Sequence, residues 1–214
     1  MGQGRRSRPL GQQKRDEPSK VPLVTHRNRY ILERMDFSAR SYAGGPVPLL
    51  LCVNMQDEFL PRNGTRICCA QFLAACAEIV GTWRERYWPV AHAKRISPAA
   101  LADPKYGIWL PDWRPRPGEM VFDHFLPSAF SSAKFSEYIE NICPVIIVTI
   151  GVSLDEVILS TVIDGFNRGH RLGFFSDAVQ CLGSEDLDPE EFRKTLIRLV
   201  RRYAQQYSLC ESEP

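Results

Sequence analysis

Residues 151–161 are the part of the sequence most clearly arranged for chemistry. They follow an apolar run at residues 145–150, and the pattern predicts a buried strand, a tight turn and a helix whose first turn faces the strand's carboxyl end. Backbone N–H groups in such a turn can hold an oxyanion, and α/β enzymes present a nucleophile there. Here the centre of the turn is Val157, whose side chain offers no nucleophile.

The elements that must position this turn alternate between strand and helix patterns along the chain. The predicted strands cover residues 49–53, 88–91, 120–122, 145–150 and 172–175. The predicted helices cover residues 67–87, 133–141, 155–168 and 189–206, the first of them capped by Thr65. This alternation predicts an α/β fold with a doubly wound parallel sheet of five or six strands and helices on both faces. Residues 97–119, rich in Pro and Trp, are predicted to form an irregular excursion able to roof the cleft.

Three stretches resemble isochorismatase-like cysteine hydrolases. The sequence NMQDEF at residues 54–59 is similar to the turn after the family's first strand, where Asp followed by Met or Leu and then Gln is expected. SAF at residues 128–130 is similar to the end of the family's lysine segment, and GVSLDEVILST at residues 151–161 resembles its cysteine turn. The three stretches occur in the family's order. The resemblance implies an isochorismatase-like, Rossmann-like three-layer sandwich.

The resemblance also implies where the catalytic groups would lie. In the family an Asp acts as general base, a Lys steadies charge and a Cys attacks the substrate. The corresponding residues here are Asn54, His124 and Val157. An amide has no useful basicity near neutral pH and an isopropyl group cannot attack carbon, so the family mechanism is excluded.

Other residue types at the predicted cleft offer weaker alternatives. Ser153 could be a substitute nucleophile with His124 as its base and Asp123 nearby, but the family uses the backbone at that position. Glu156, in the first turn of a helix, is expected to be stabilised by the helix dipole and to face solvent. We expect Cys143 to lie at the end of the sheet away from the cleft, and His92 to be hydrogen-bonded or exposed. The residues predicted to line the pocket and oxyanion turn are Gln56, Phe59, Val152, Ser153 and Asp155.

Two further expectations concern this cleft. The resemblance implies that the Val152–Ser153 peptide bond is cis, unless it has relaxed to trans. Several relatives hold a metal through an Asp and a His after the second strand, where this chain has Arg95 and Ser97. A cation beside a divalent ion is repulsive, so we expect neither a metal nor another cofactor.

The charge of the chain is unevenly distributed. Residues 1–45 hold ten basic and four acidic residues, a net charge of +6, which leaves −4 for the rest of a chain whose total is +2. Either this basic arm is a solvated tail, or it orders on the phosphates of a nucleic acid or on an acidic partner surface. The candidate contact residues are Arg5, Arg6, Arg8, Lys14 and Arg15. In the second case the acidic body is not expected to contact the nucleic acid.

Composition limits the remaining possibilities. The chain has 214 residues, enough for one sizeable core, and seven cysteines without a C-x-x-C pair. This pattern favours reduced thiols in an intracellular protein, cytoplasmic or mitochondrial, and no apolar run is long enough for a membrane span or a secretory signal. The predicted organisation is an arm at residues 1–45, a domain at residues 46–207 and a tail at residues 208–214.

These observations favour a catalytically silent member of the fold that serves as a structural or scaffolding subunit, in a complex with other proteins or as a homo-oligomer. Two alternatives stay open. One is a hydrolase with altered chemistry that acts on a small amide or acid through His124, Asn54 and the turn amides. The other is a small-ligand binder without turnover.

Overall fold

The computed structural model describes residues 47–60, 66–103, 105–183 and 187–209. Its centre is one six-stranded sheet in the order β3-β2-β1-β4-β5-β6, and every neighbouring pair of strands is parallel. The strands are β1 (Leu49–Val53), β2 (Val90–Arg95), β3 (Met120–His124), β4 (Ile147–Val152), β5 (Leu172–Gln180) and β6 (Gln205–Tyr207). The predicted fold class is therefore confirmed.

Five α-helices connect these strands within the described part of the chain. They are α1 (Arg66–Glu85), α2 (Pro98–Ala102), α3 (Ala133–Ile142), α4 (Leu159–Asn167) and α5 (Pro189–Val200). A π-helical turn, Leu154–Ile158, joins β4 to α4, and short 3-10 turns occupy Asp57–Phe59, Pro111–Trp113 and Ala129–Ser131. No helix in the described ranges is both long and apolar enough to span a bilayer.

The alternation of side chains along β1 divides the core between the two faces of the sheet. Leu49, Leu51 and Val53 pack into an apolar cluster with side chains of α3, α4 and α5, whereas Leu50 and Cys52 pack with α1. All five residues of β1 are fully buried, as a central parallel strand covered on both faces requires. The three layers place the carboxyl ends of β1, β3 and β4 at one edge of the sheet.

Several predicted boundaries were wrong. The last helix was expected to continue to residue 206 but ends at Val200, and residues 205–207 form β6 instead. Tyr207 packs its ring 5.5 Å from that of Phe175, and a Cβ on Gly173 would lie 2.7 Å from the Tyr207 ring. This side-chain packing outweighs the helical preference of the glutamines. The predicted helix at residue 155 begins instead as the π-helical turn.

Smaller differences concern strand lengths and the excursion. β2 lies at 90–95 rather than 88–91, β5 extends to Gln180, and residues 97–119 include α2 and a 3-10 turn. The excursion hydrogen-bonds the chain after β1: Asp57 N donates to Ile108 O at 3.0 Å, and Leu110 N donates to Met55 O at 3.1 Å. The basic arm and the proposed Thr65 cap lie outside the described residues.

Candidate functional site

Asn54 is the first residue after β1 and lies at the carboxyl edge of the sheet. Its backbone is in the left-handed region, with φ of 48°, which Asn tolerates better than most residues. Its backbone N donates to Ala93 O at 2.9 Å, and its side chain is buried. The backbone turn therefore directs a buried amide into the predicted site.

His124 ends β3 and faces the same amide. Its Nδ1 lies 2.8 Å from Leu126 O, and its Nε2 lies 3.0 Å from the Asn54 side-chain amide. The Leu126 carbonyl can only accept, so Nδ1 carries a proton. Burial lowers the pKa of His124, outweighing the Leu126 carbonyl, and nearby Arg95 lowers it further. The atom placed opposite Nε2 is Asn54 Oδ1, but a neutral ring that donates from Nδ1 can only accept at Nε2. We therefore assign the Asn54 amide the reverse orientation, with its NH₂ group toward the ring.

Val157 lies in the π-helical turn that follows β4. Its side chain is 1% exposed and belongs to the same apolar cluster as Ala129, Phe130 and Leu154. The three positions aligned with the family's catalytic groups are thus all buried here. They consist of a hydrogen-bonded amide and imidazole and a valine packed in the core.

The predicted oxyanion turn begins with a cis peptide bond between Val152 and Ser153, which is one of the two alternatives that the sequence left open. Among the described residues, Ser153 Oγ is buried without a hydrogen-bond partner. Ser153 O accepts from Ile158 N at 2.9 Å, but no described residue outside the turn accepts from the backbone N–H groups of residues 154–157. Within the described ranges, the backbone N–H groups of residues 154–157 have no acceptor outside the turn, and the Ser153 hydroxyl has no partner.

The alternative constellation of Ser153, His124 and Asp123 is not assembled. His124 bonds the Leu126 carbonyl and the Asn54 amide, and within the described ranges neither Ser153 nor Asp123 hydrogen-bonds to it. Asp123 is exposed. Ser153 therefore has no base in this structure.

The other predicted pocket residues have structural contacts. Gln56 is fully buried and joins the turn after β1 to the end of β2, since its Nε2 donates to Arg95 O at 3.1 Å and its Oε1 accepts from Arg95 N at 2.9 Å. Asp155 Oδ1 accepts from Leu182 N at 3.1 Å. Val152 is buried and Phe59 half-buried in the cluster on the α1 side of the sheet. Of the five, Ser153 is the one with a buried polar side-chain atom that has no partner among the described residues.

The two residues aligned with metal ligands also have other partners. Arg95 Nη1 lies 3.1 Å from Glu156 Oε1 in an ion pair, so Glu156 is not simply solvated as expected. Ser97 caps α2, accepting from Ala100 N at 3.0 Å. No group of three or more His, Cys, Asp or Glu side chains in the described ranges could hold a metal ion.

A thiol does lie at this edge of the sheet. Cys181 follows β5, is largely buried and belongs to the same apolar cluster as Val157. Burial raises its pKa to about 11, and the charge of nearby Asp155 acts in the same direction. The thiolate is the reactive form of cysteine, so this raised pKa disfavours Cys181 as a replacement nucleophile near neutral pH.

Residues 48–206 match the sequence model of the isochorismatase domain, which covers most of the chain. The chain belongs to the isochorismatase family. Among curated proteins, no sequence matches it.

Solved structures of the isochorismatase family share this fold. An isochorismatase from Pseudomonas putida KT2440 is 18% identical, with a TM-score of 0.68 over 87% of this chain and 98% of its own. N-carbamoylsarcosine amidase from Thermoplasma acidophilum is 19% identical, with a TM-score of 0.61 over 78% and 99%. An isochorismatase-like hydrolase from Alkaliphilus metalliredigens is 14% identical, with a TM-score of 0.63 over 76% and 95%. At these identities the likeness establishes the architecture alone.

One polar cluster of this isochorismatase-family chain was not foreseen. On the α1 side of the sheet, His92 Nε2 lies 2.8 Å from Glu119 Oε2, and Arg84 contacts both Glu119 oxygens at 2.6 and 2.9 Å. His92 was expected to be hydrogen-bonded or exposed, and it is bonded and buried, although its Nδ1 has no partner among the described residues. Arg84 and Glu119 are 35 residues apart, and no local pattern connects them.

Proposed function

We propose that this isochorismatase-family protein is catalytically inactive and serves as a structural or scaffolding subunit of a larger assembly. One observation carries the proposal. The groups at the three catalytic positions interact with their own surroundings: Asn54 with His124, and Val157 with the apolar core. A site that catalysed covalent hydrolysis would instead place a nucleophile within hydrogen-bond reach of a base, and neither Val157 nor Asn54 supplies either group.

The chemistry of the available groups supports inactivity. Hydrolysis by covalent catalysis needs a nucleophile and a base that activates it. The lone pair of His124 Nε2 is occupied by the Asn54 amide, and the Cys181 thiol has a pKa of about 11. Removing either nucleophile or base typically costs several orders of magnitude in rate, so the absence of both predicts no measurable turnover.

Exposed apolar side chains support the part of the proposal that concerns binding to a protein partner. β3 is an edge strand, and Met120 and Val121 on it are 43% and 41% exposed. The loop after it exposes Phe125 and Leu126 by 62% and 64%. Apolar side chains grouped in this way are typical of surfaces that bind other proteins. The basic arm offers a second contact element, for an acidic surface or a nucleic acid.

Activity measurements test the silent site. We expect the purified wild-type protein not to hydrolyse a panel that includes N-carbamoylsarcosine, nicotinamide and isochorismate. The Val157→Cys variant, which adds the thiol alone, should also be inactive. Val162→Cys, which places a thiol at another buried position of the same cluster, controls for packing. Wild-type turnover that His124→Ala abolishes would refute the proposal.

The scaffolding role needs a measurement on the native protein. When the tagged full-length chain is purified from its own cells, we expect it to sediment with a complex larger than a homotetramer. Substitution of Phe125 and Leu126 by Ser should release it from that complex while the melting temperature is kept. Recovery of the wild type as a free oligomer would count against the scaffold.

A second candidate function is binding or altered hydrolysis of a small amide or acid. The observation favouring it is the buried Ser153 hydroxyl, unpartnered within the described ranges, beside the free backbone donors of the π-helical turn. Calorimetric titration with nicotinamide, nicotinate and benzoate tests this candidate. Saturable binding that Ser153→Ala weakens at least tenfold would establish the binding site. If millimolar ligand produced no heat of binding, these three compounds would be excluded as ligands.

A further inference from the structure

Four exposed arginines lie at the end of the sheet where the strands begin, whereas the degenerate site, formed by Asn54, His124 and Val157, lies where the strands end. α4 and α5 both run from the carboxyl edge back to the amino edge, so their last turns lie side by side over β4 and β5. Arg168 follows α4, while Arg198, Arg201 and Arg202 lie at the end of α5. Arg198 lies in the last turn of α5, and Arg201 and Arg202 lie in the turn that directly follows Val200. We call these four side chains the arginine patch.

The arginine patch has no acidic partner among the described residues. All four side chains are exposed, and none forms an ion pair within that part of the chain. The other end of α5 differs, because Lys194 lies 3.9 Å from Glu190 and 3.1 Å from Glu191. Cations that need only solubility are commonly interspersed with acids, as that first half of the helix is.

Aromatic side chains accompany the patch. Phe166, at the end of α4, is 50% exposed, and its ring lies 5.5 Å from that of Tyr203 in an edge-to-face arrangement. Arg168 lies 5.0 Å from the centroid of the Phe130 ring, which stacks on His170. Burial lowers the pKa of His170 and Arg168 adds to this effect, while nearby Glu140 opposes it. The surface therefore combines fixed positive charge with a half-open aromatic face.

Helix stabilisation accounts for only part of this arrangement. A cation in the last turn stabilises a helix by roughly 0.3–1 kcal/mol through its interaction with the helix dipole, and one such residue per helix would be enough for this effect. Helix stabilisation therefore does not explain why three arginines lie at the end of α5, nor why an exposed phenylalanine accompanies them.

We propose that the arginine patch binds the phosphodiester backbone of a single-stranded nucleic acid, with Phe166 stacking on a base. Arginines recognise phosphate oxygens through paired N–H donors, and exposed aromatic rings hold unpaired bases without sequence preference. This goes beyond the proposed function and does not rest on it, since the patch and the degenerate site lie at opposite edges of the sheet. It also places a nucleic-acid contact on the body, which the net charge had argued against.

Fluorescence anisotropy with a labelled 20-nucleotide oligouridine tests the charge component on the full-length protein. The variant Arg198→Gln/Arg201→Gln/Arg202→Gln should raise the Kd by about 10- to 100-fold at 0.1 M salt and reduce the slope of log K against log salt by about 2. The matched control removes three exposed charges elsewhere, with Arg114→Gln/Arg116→Gln/Lys134→Gln. Circular dichroism melts verify that both variants fold.

Phe166→Ala tests the stacking component. It should weaken binding about tenfold with no change in the salt slope, because stacking releases no counterions. Tyr87→Ala, which removes an aromatic ring that is 93% exposed after α1 on the other face of the sheet, is the control and should bind as the wild type does. A duplex of the same length should be insensitive to Phe166→Ala.

Three results would overturn the proposal. The patch variant could bind oligouridine like its matched control. Binding could instead depend only on the arm, so that substitution of Arg5, Arg6, Arg8, Lys14 and Arg15 by Gln abolishes it while the patch variant retains it. Polyglutamate could compete as well as oligouridine, which would identify an acidic protein as the partner.

Discussion

The two histidines that are buried in the described part of the chain lie on opposite faces of the sheet and have different hydrogen-bond partners. His124, at the degenerate site, contacts a backbone carbonyl and a neutral amide. His92, on the α1 side, contacts the Glu119 carboxylate, which also pairs with Arg84. Burial lowers the pKa of both rings. Of the two, His92 is hydrogen-bonded to a carboxylate, whereas Glu156 and Asp123 act on His124 through their charge alone.

This difference separates the buried charge cluster from the positions that align with the family's catalytic groups. At those positions the chain has a hydrogen-bonded amide and imidazole and a buried valine, where the resemblance implies a carboxylate, an ammonium and a thiolate. The charges of the His92 cluster join α1, β2 and the start of β3, away from the turn that could hold an oxyanion. The pKa values of His92, Glu119 and His124 are all shifted, and of these three groups only His124 lies at a position aligned with a catalytic group of the family.

The largest effect should come from the backbone under the degenerate site. A Cβ on Gly151, whose φ is 117°, would lie 2.1 Å from Val53 O, so Gly151→Ala should separate β1 from β4 and cost more than about 4 kcal/mol of unfolding free energy. Gly81→Ala is the control, because a Cβ there meets nothing within 4 Å and should stabilise α1 by about 0.5–1 kcal/mol. Urea denaturation measures both. A Gly151→Ala protein of normal stability would contradict the observed strand approach.

The charged cluster should be the next most sensitive region. Glu119→Ala leaves the Arg84 guanidinium without its carboxylate partner and removes the only acceptor observed for His92 Nε2 among the described residues. Breaking such a buried pair costs about 3–5 kcal/mol. Glu137→Ala, which removes an exposed carboxylate from α3, should cost less than about 0.5 kcal/mol. Similar urea midpoints for the two variants would show that the cluster contributes little.

Acid should destabilise the protein in two steps, the first from His92 and His124 together and the second from Glu119. The lowered pKa values of His92 and His124 mean that the unfolded chain binds protons more readily, so stability is complete above their ordinary pKa of 6.5 and falls below it. Each ring contributes a slope of at most about 1.4 kcal/mol per pH unit. The Glu119 pKa is about 2 in the fold, since hydrogen bonds from Arg84, Arg116 and His92 outweigh its burial, so its contribution is lost from pH 4.5 downward.

Stability measured by denaturation between pH 8 and 3 checks this order. His124→Gln should reduce the slope just below pH 6.5 and leave the loss below pH 4.5 in place. An unchanged slope in the variant would mean that His124 does not titrate differently in the folded and unfolded states.

Asn54→Asp should change the stability least of these variants. It also gives the most direct comparison of the two histidines. Asp also tolerates the left-handed backbone at this position, and it would give His124 the carboxylate that His92 already has. The pKa of His124 should then rise by about 1 or more. NMR titration of the ring Hε1 protons measures it, with His92 as the internal reference. Coincident titration of His124 in variant and wild type would contradict the contact.

The sequence predicted the fold well because apolar runs and turns are local signals. Leu49–Val53 was placed without error, and the alternation of elements implied the parallel sheet. The end of α5 was missed, because β6 depends on Tyr207 packing against Phe175 and Gly173, contacts that are distant in the sequence. Pairing across a sheet cannot be read from the propensity of three residues.

The site was predictable in part for the same reason. Motif alignment brought Asn54, His124 and Val157 to one edge of the sheet, and the structure places all three there. It could not foresee that the Asn54 amide would bond His124, nor that Glu156 would pair with Arg95, since 61 residues separate the latter pair. The arginine patch escaped notice because net charge averages over a surface whose charges are segregated.

The placement of β1 beside β4 affects the order in which the chain can fold. These strands are about 100 residues apart in sequence yet form the middle of the sheet. At a synthesis rate of roughly 5–20 residues per second, the apolar segment Leu49–Val53 leaves the ribosome several seconds before its central neighbour exists. During that interval its exposed backbone can pair only with β2, and assembly of the complete centre must wait until translation has passed β4.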